Sequence, residues 1–90
     1  MKRHHKIKVS GKVQGVYYRA STKQMADLLG IKGFVKNEED GTVYIEAEAD
    51  EEMLFKFIQW CHHGPDRAEV AHVSITEGEI FGFEVFESRR

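Results

Sequence analysis

An α+β two-layer sandwich, with two helices packed on one face of an antiparallel sheet, is the fold class this sequence predicts. Three observations predict it. Apolar and polar residues alternate over separate short segments, the period of a half-buried strand. Between them lie two segments with the three-to-four spacing of an amphipathic helix. The segments run in the order β-α-β-β-α-β with a short fifth strand at the end. Short right-handed connections then place both helices on the same face.

The first strand is expected over about residues 6–13, where Ile7, Val9 and Val13 alternate with Lys8, Ser10 and Lys12. Gly15 interrupts that period. From about Arg19 to Leu29 the spacing turns helical: Thr22, Met25, Ala26 and Leu29 share a face, and Gly30 is a natural C-terminal cap. Gly33–Asn37 reads as the second strand, and Asp40-Gly41 as a hairpin turn. The third strand sets Val43, Ile45, Ala47 and Ala49 on one face and Tyr44, Glu46 and Glu48 on the other, the solvated one. Asp50 is expected to cap a second helix whose first turn carries Glu51 and Glu52, where the helix dipole favours negative charge. Met53, Leu54, Phe57, Ile58 and Cys61 form its apolar stripe, and Gly64-Pro65 ends it. Val70–Ile75 is the fourth strand and Phe83–Glu87 the fifth. This is the ferredoxin-like arrangement, which hosts many functions and specifies none of them.

The 90 residues are read as a single domain with its core in about residues 6–87. With 13 Lys+Arg against 15 Asp+Glu, the net charge of −2 speaks against broad nucleic-acid binding. One cysteine rules out an internal disulfide or a Cys-rich zinc site. No apolar run approaches the roughly 20 residues that cross a bilayer as a helix. The basic start, Met1 to Lys6, is read as a solvated tail, because alternation follows it where a signal peptide has an apolar block. A cytoplasmic protein with no membrane partner is the expectation.

The informative stretch joins the first strand to the first helix: Gly11-Lys12-Val13-Gln14-Gly15-Val16-Tyr17-Tyr18-Arg19. A short Gly-containing loop that turns straight into a helix can aim several backbone N–H groups at one point, beside the positive end of the helix dipole. Arg19 adds a planar fork of donors that fits phosphate oxygens. On residue types alone, an anion site and a plain tight turn with a surface arginine both account for the stretch.

Gly11-x-Val13-Gln14-Gly15-Val16-x-x-Arg19 resembles the first signature of the acylphosphatases. Gly33-Phe34-Val35-Lys36-Asn37-x-x-Asp40-Gly41-x-Val43 resembles the second. Thr22, Leu29-Gly30-Ile31, Gly64-Pro65 and Ala68-x-Val70 also fall where that family has similar residues, and the likeness covers about residues 6–87. Phe34 stands where the family often has Trp, and Asp50 where it often has Gly. The resemblance implies hydrolysis of acyl phosphates, the mixed anhydrides of a carboxylic acid and phosphoric acid. It implies that the backbone of Gln14, Gly15, Val16, Tyr17, Tyr18 and Arg19 cradles the phosphate. Arg19 would be the binding cation, Asn37 would position the attacking water, and Thr22 would support the loop. It implies no cofactor and no metal, a small-molecule substrate, inorganic phosphate as product and inhibitor, and a monomer. The alternative on the same scaffold is a non-catalytic anion-binding regulatory domain.

Three other signals compete. Cys61-His62-His63-Gly64-Pro65-Asp66-Arg67 matches the C-x-x-G-x-x-R loop of cysteine-dependent phosphatases. That chemistry needs the thiolate at a helix N-terminus, whereas Cys61 falls in the last turn of its helix, at the negative end of the dipole. The pairs His4-His5 and His62-His63 lack metal-ligand spacing and read as surface or packing residues, as does His72. Tyr17, Tyr18, Phe34 and Tyr44 raise the idea of an RNA-stacking sheet, but the RNP-type signature is missing. Tyr17 and Tyr18 are instead expected to border the phosphate pocket and touch the acyl group.

Overall fold

The computed structural model describes residues 1–90. In chain order the elements are β1 (Lys2–Lys12), α1 (Tyr18–Leu29), β2 (Lys32–Asn37), β3 (Val43–Asp50), α2 (Glu51–His63), β4 (Glu69–Gly78) and β5 (Phe86–Arg89). They form one five-stranded sheet in the order β4-β1-β3-β2-β5. Ile7, Val9, Val35, Val43, Ile45 and Ala47 point from the sheet into the core, where Ala26, Leu54, Phe57 and Cys61 come down from the helices. The period-two and helical patterns therefore meet in a single apolar layer, as the sequence leads one to expect.

Four features of the strands and caps depart from the sequence reading. β1 starts at Lys2 and not near residue 6, because β3 is long enough to pair with it from Lys2↔Asp50 to Val9↔Val43. The basic start is thus a paired strand, not a solvated tail. The sheet is mixed and not wholly antiparallel: β5 pairs parallel to β2, from Gly33↔Phe86 to Lys36↔Arg89. β5 also begins later than expected, since residues 79–85 are spent crossing from the β4 edge to the β2 edge. Strands lie about 4.8 Å apart, so four spacings make roughly 19 Å, which seven residues at about 3.3 Å each can span. Finally, Asp50 occupies the N-cap position of α2 but makes no side-chain cap hydrogen bond. Its carboxylate lies 3.8 Å from the Met1 ammonium instead.

The crossing segment overturns the expectation for Glu48. Its side chain is not solvated: Glu48 is 0% exposed. One of its carboxylate oxygens accepts from Nδ1 of His4 at 2.6 Å and from the N–H of Phe81. The other accepts from the N–H groups of Gly82 at 3.0 Å and Phe83 at 3.1 Å. Nε2 of His4 in turn faces Glu46 Oε1 at 2.9 Å, so both ring nitrogens of His4 are engaged by carboxylates. Phe83 stacks on the His4 ring, with centroids 5.9 Å apart. Burial pushes the Glu48 carboxyl upward. The hydrogen bonds from His4, Phe81, Phe83 and Gly82 outweigh it and hold the group down at about 2.

Candidate active site

The β1–α1 loop is held at two buried points. Val16 is 5% exposed and Tyr18 1%. The Tyr18 hydroxyl, deep under α2, donates to the Cys61 carbonyl at 2.7 Å. Between these anchors Tyr17 turns outward, and its backbone is left-handed, with φ 64 and ψ 22. Gly15 is left-handed as well, with φ 74, a conformation that glycine adopts without penalty. None of the turn, loop and cap hydrogen bonds of the chain uses the N–H groups of Gly15, Val16 or Tyr17. The first N–H groups of α1 have no intrahelical partner either. Successive unclaimed donors therefore meet the positive end of the α1 dipole, an arrangement suited to an anion.

Arg19 stands in the first turn of α1, half-buried, and its Nη1 donates to the Arg89 backbone carbonyl at 2.6 Å. The Arg89 side chain lies over the Phe34 ring at 4.1 Å and pairs with Glu87 at 2.8 Å, which steadies the carbonyl that holds Arg19. The C-terminal strand thus reaches the site. Asn37 is the last residue of β2, and its Oδ1 is buried with no hydrogen-bond partner in the protein. A buried acceptor left free is uncommon and points to a ligand or water.

Gln14 joins the two halves. Its Nε2 donates to the carbonyls of Glu38 and Thr42, at 2.8 Å each, and ties the loop to the β2–β3 turn just beyond Asn37. That turn is itself locked. The Thr42 hydroxyl and N–H bond to Asp40 at 2.6 and 3.0 Å, with Lys8 at 3.0 Å, and these contacts hold the Asp40 carboxyl down at about 2.

A cleft of about 360 Å³ results, lined by Val13, Gly15, Tyr17, Tyr18, Arg19, Ala20 and Asn37. Of the residues singled out in the sequence, Gly15, Tyr17, Tyr18, Arg19 and Asn37 meet there. Gln14, Val16 and Thr22 stand behind it: Gln14 as a tie, Val16 as an anchor, and Thr22 bonded to the Tyr18 carbonyl at 2.7 Å. Val13, Ala20 and the Arg89 carbonyl belong to the site but were not foreseen. The two signatures flagged Val13 only as a motif residue, and nothing local marks a backbone carbonyl far along the chain.

Cys61 lies outside the cleft, in the core and 0% exposed, and burial pushes its thiol up to about 12. No group of three or more His, Cys, Asp or Glu side chains is placed to hold a metal ion. No helix is long and apolar enough to cross a membrane.

A family model described as Acylphosphatase matches residues 5–87. The chain belongs to the acylphosphatase family. An acylphosphatase of Marinobacter nauticus is 55% identical over 69 residues, 77% of this chain and 75% of that one. An acylphosphatase of Pelotomaculum thermopropionicum is 45% identical over 83 residues, 88% of this chain and 90% of its own. The solved acylphosphatase of Bacillus subtilis superposes with a TM-score of 0.95 at 34% identity, and each chain is covered in full. Acylphosphatases hydrolyse the carboxyl–phosphate bond, and this chain is an enzyme of that kind.

Proposed function

We propose that the cleft holds the phosphoryl group of an acyl phosphate in the 14–19 loop, with Arg19 as the binding cation and Asn37 as the residue that orients the water. One observation carries this reading: Gly15 and Tyr17, whose N–H groups are unclaimed, line one cleft with Arg19 and with Asn37, whose Oδ1 is unpartnered. The water oxygen forms a bond to phosphorus while the bond from phosphorus to the acyl oxygen breaks. The electron pair leaves with the carboxylate. One water proton stays on the new P–O–H group and the other passes to solvent. A carboxylate leaves readily, so the site needs no general acid. Positioning and charge stabilisation at the equatorial oxygens are the main requirements. Asn37 accepts one hydrogen bond from the water and directs it without acting as a strong base. Thr22 supports the loop through the Tyr18 carbonyl.

In the same proposal residues 1–90 act as one catalytic unit, as a monomer in the cytoplasm. Inorganic phosphate leaves as product and competes for the cradle.

The test is hydrolysis of benzoyl phosphate beside p-nitrophenyl phosphate, with and without EDTA. The anhydride is expected to turn over, the ester hardly at all, and chelator to change nothing. Phosphate should inhibit competitively. Arg19→Ala and Asn37→Ala should each lower kcat/KM by roughly 10²–10³ or more in a folded protein. Near-wild-type rates in either variant would remove that residue's role.

A further inference from the structure

We propose that Tyr17 selects the acyl half of the substrate and favours flat aromatic acyl groups over small aliphatic ones. The inference rests on the phosphate-cradle reading above, which decides which end of the substrate lies where.

Tyr17 is the only residue other than glycine with a positive φ. An L residue there brings Cβ close to the following carbonyl, and glycine or asparagine tolerates the position best. Tyrosine has no conformational reason to occupy it. Strain of this kind persists where the surroundings impose it, and it clusters at ligand clamps. Here the imposition is visible: Val16 and Tyr18 on either side are both buried, so residue 17 can only face out.

The ring has no use inside the protein. The six aromatic contacts of the chain leave it out, and so do both cation–π contacts. The residue is 75% exposed, yet it lines the cleft. Its fellow lining residues offer an acyl group little. Val13 and Tyr18 are each 1% exposed, Gly15 and Ala20 are small, and Arg19 and Asn37 are polar. Tyr17 is the one large apolar surface open beside the cradle.

With the phosphoryl group held by the loop, the acyl group projects out of the cradle, and Tyr17 is the large exposed lining residue within its reach. An acyl carbonyl conjugated to an aromatic ring is a flat body that can stack on the tyrosine face. An acetyl group presents only a methyl there.

The readout is selectivity: kcat/KM for benzoyl phosphate divided by kcat/KM for acetyl phosphate. Tyr17→Asn removes the ring with a residue suited to the left-handed backbone, and the ratio is expected to fall about 3–10-fold. Tyr17→Phe keeps the face and should keep the ratio within about twofold of wild type. An unchanged ratio in Tyr17→Asn, even with both rates reduced together, would overturn the proposal. So would an equal fall in Tyr17→Phe, which would place the effect in the hydroxyl. Failure of the cradle reading looks different: Arg19→Ala would then keep near-wild-type rates on both anhydrides.

Discussion

Removing the Glu48 carboxylate should unfasten the segment that crosses the sheet, and the structure says roughly how much stability this costs. Glu48→Ala deletes the acceptor shared by His4 and the N–H groups of Phe81, Gly82 and Phe83. Phe81 and Gly82 are exposed, so their N–H groups regain water once the segment lifts and contribute little to the loss. His4 differs: it is 2% exposed and would be left facing only Glu46. Leaving a buried donor without its acceptor costs about 1–3 kcal/mol. A chain of this length has a total stability of about 5–13 kcal/mol, so the change takes a large share of it. Equilibrium urea unfolding, followed by the fluorescence of the single tryptophan, Trp60, measures the effect. With a slope of about 1–2 kcal/mol per molar, the midpoint should fall by roughly 0.5–3 M. Amide exchange at Gly82 and Phe83 should accelerate in the same variant. Glu48→Gln, which keeps the shape but not the charge, should fall between Glu48→Ala and wild type. A loss under about 1 kcal/mol in Glu48→Ala would refute the reasoning, because the carboxylate would then not be what holds the segment down.

The Glu48 carboxyl, held at about 2 in the folded chain against an ordinary 4.5, also sets a pH dependence. A depressed carboxyl stabilises the fold above its unfolded value and loses that contribution as pH falls. Wild-type stability should therefore decline between about pH 4.5 and 2, and Glu48→Gln should show a shallower decline over the same window. Cys61→Ser should keep its activity at a cost of about 1–3 kcal/mol in stability, since it buries a hydroxyl in a site built for sulfur. Iodoacetamide should leave the native enzyme active, because the thiol is buried and raised to about 12. Gly33→Ala should destabilise by about 3 kcal/mol or prevent folding. Gly33 has φ +145, and an added Cβ would meet the Glu46 carbonyl oxygen at 1.8 Å, a backbone atom that cannot swing aside. Thermal denaturation checks that variant, and a melting point within a few degrees of wild type would contradict it.

The reading of the candidate site from the sequence went furthest where the chemistry is local. The stretch from Gly11 to Arg19 holds the loop, its glycines and the arginine within one short span, so the resemblance to the first family signature could be read there, where residue types alone left a plain tight turn equally open. Asn37 is distant in sequence but ends a strand whose motif could be recognised. Tyr18 was harder. Beside Tyr17 it looked like a second cleft aromatic, yet its ring packs under α2 and its hydroxyl serves the Cys61 carbonyl. Adjacent residues at the mouth of a helix point to opposite sides, and only the packed helices decide which side is inside. The tie made by Gln14 was invisible for a related reason. An amide side chain meets two backbone carbonyls 24 and 28 residues away, and no pattern in the sequence encodes such a meeting.

By itself, the sequence determined the order of elements, the apolar faces that form the core, and the loop, arginine and asparagine of the cleft. The elements and faces are a matter of period, which neighbouring residues carry in full; the arginine and asparagine were read from the resemblance to the two family signatures. Only the tertiary structure decided that β5 joins parallel, that Arg19 rests on the Arg89 carbonyl, and that Glu48 is a buried clasp for the crossing segment. Alternation placed Glu48 on the face opposite the core, and that was correct. Whether that face meets water depends on a segment more than thirty residues further on, whose N–H groups find the carboxylate only after the sheet has formed.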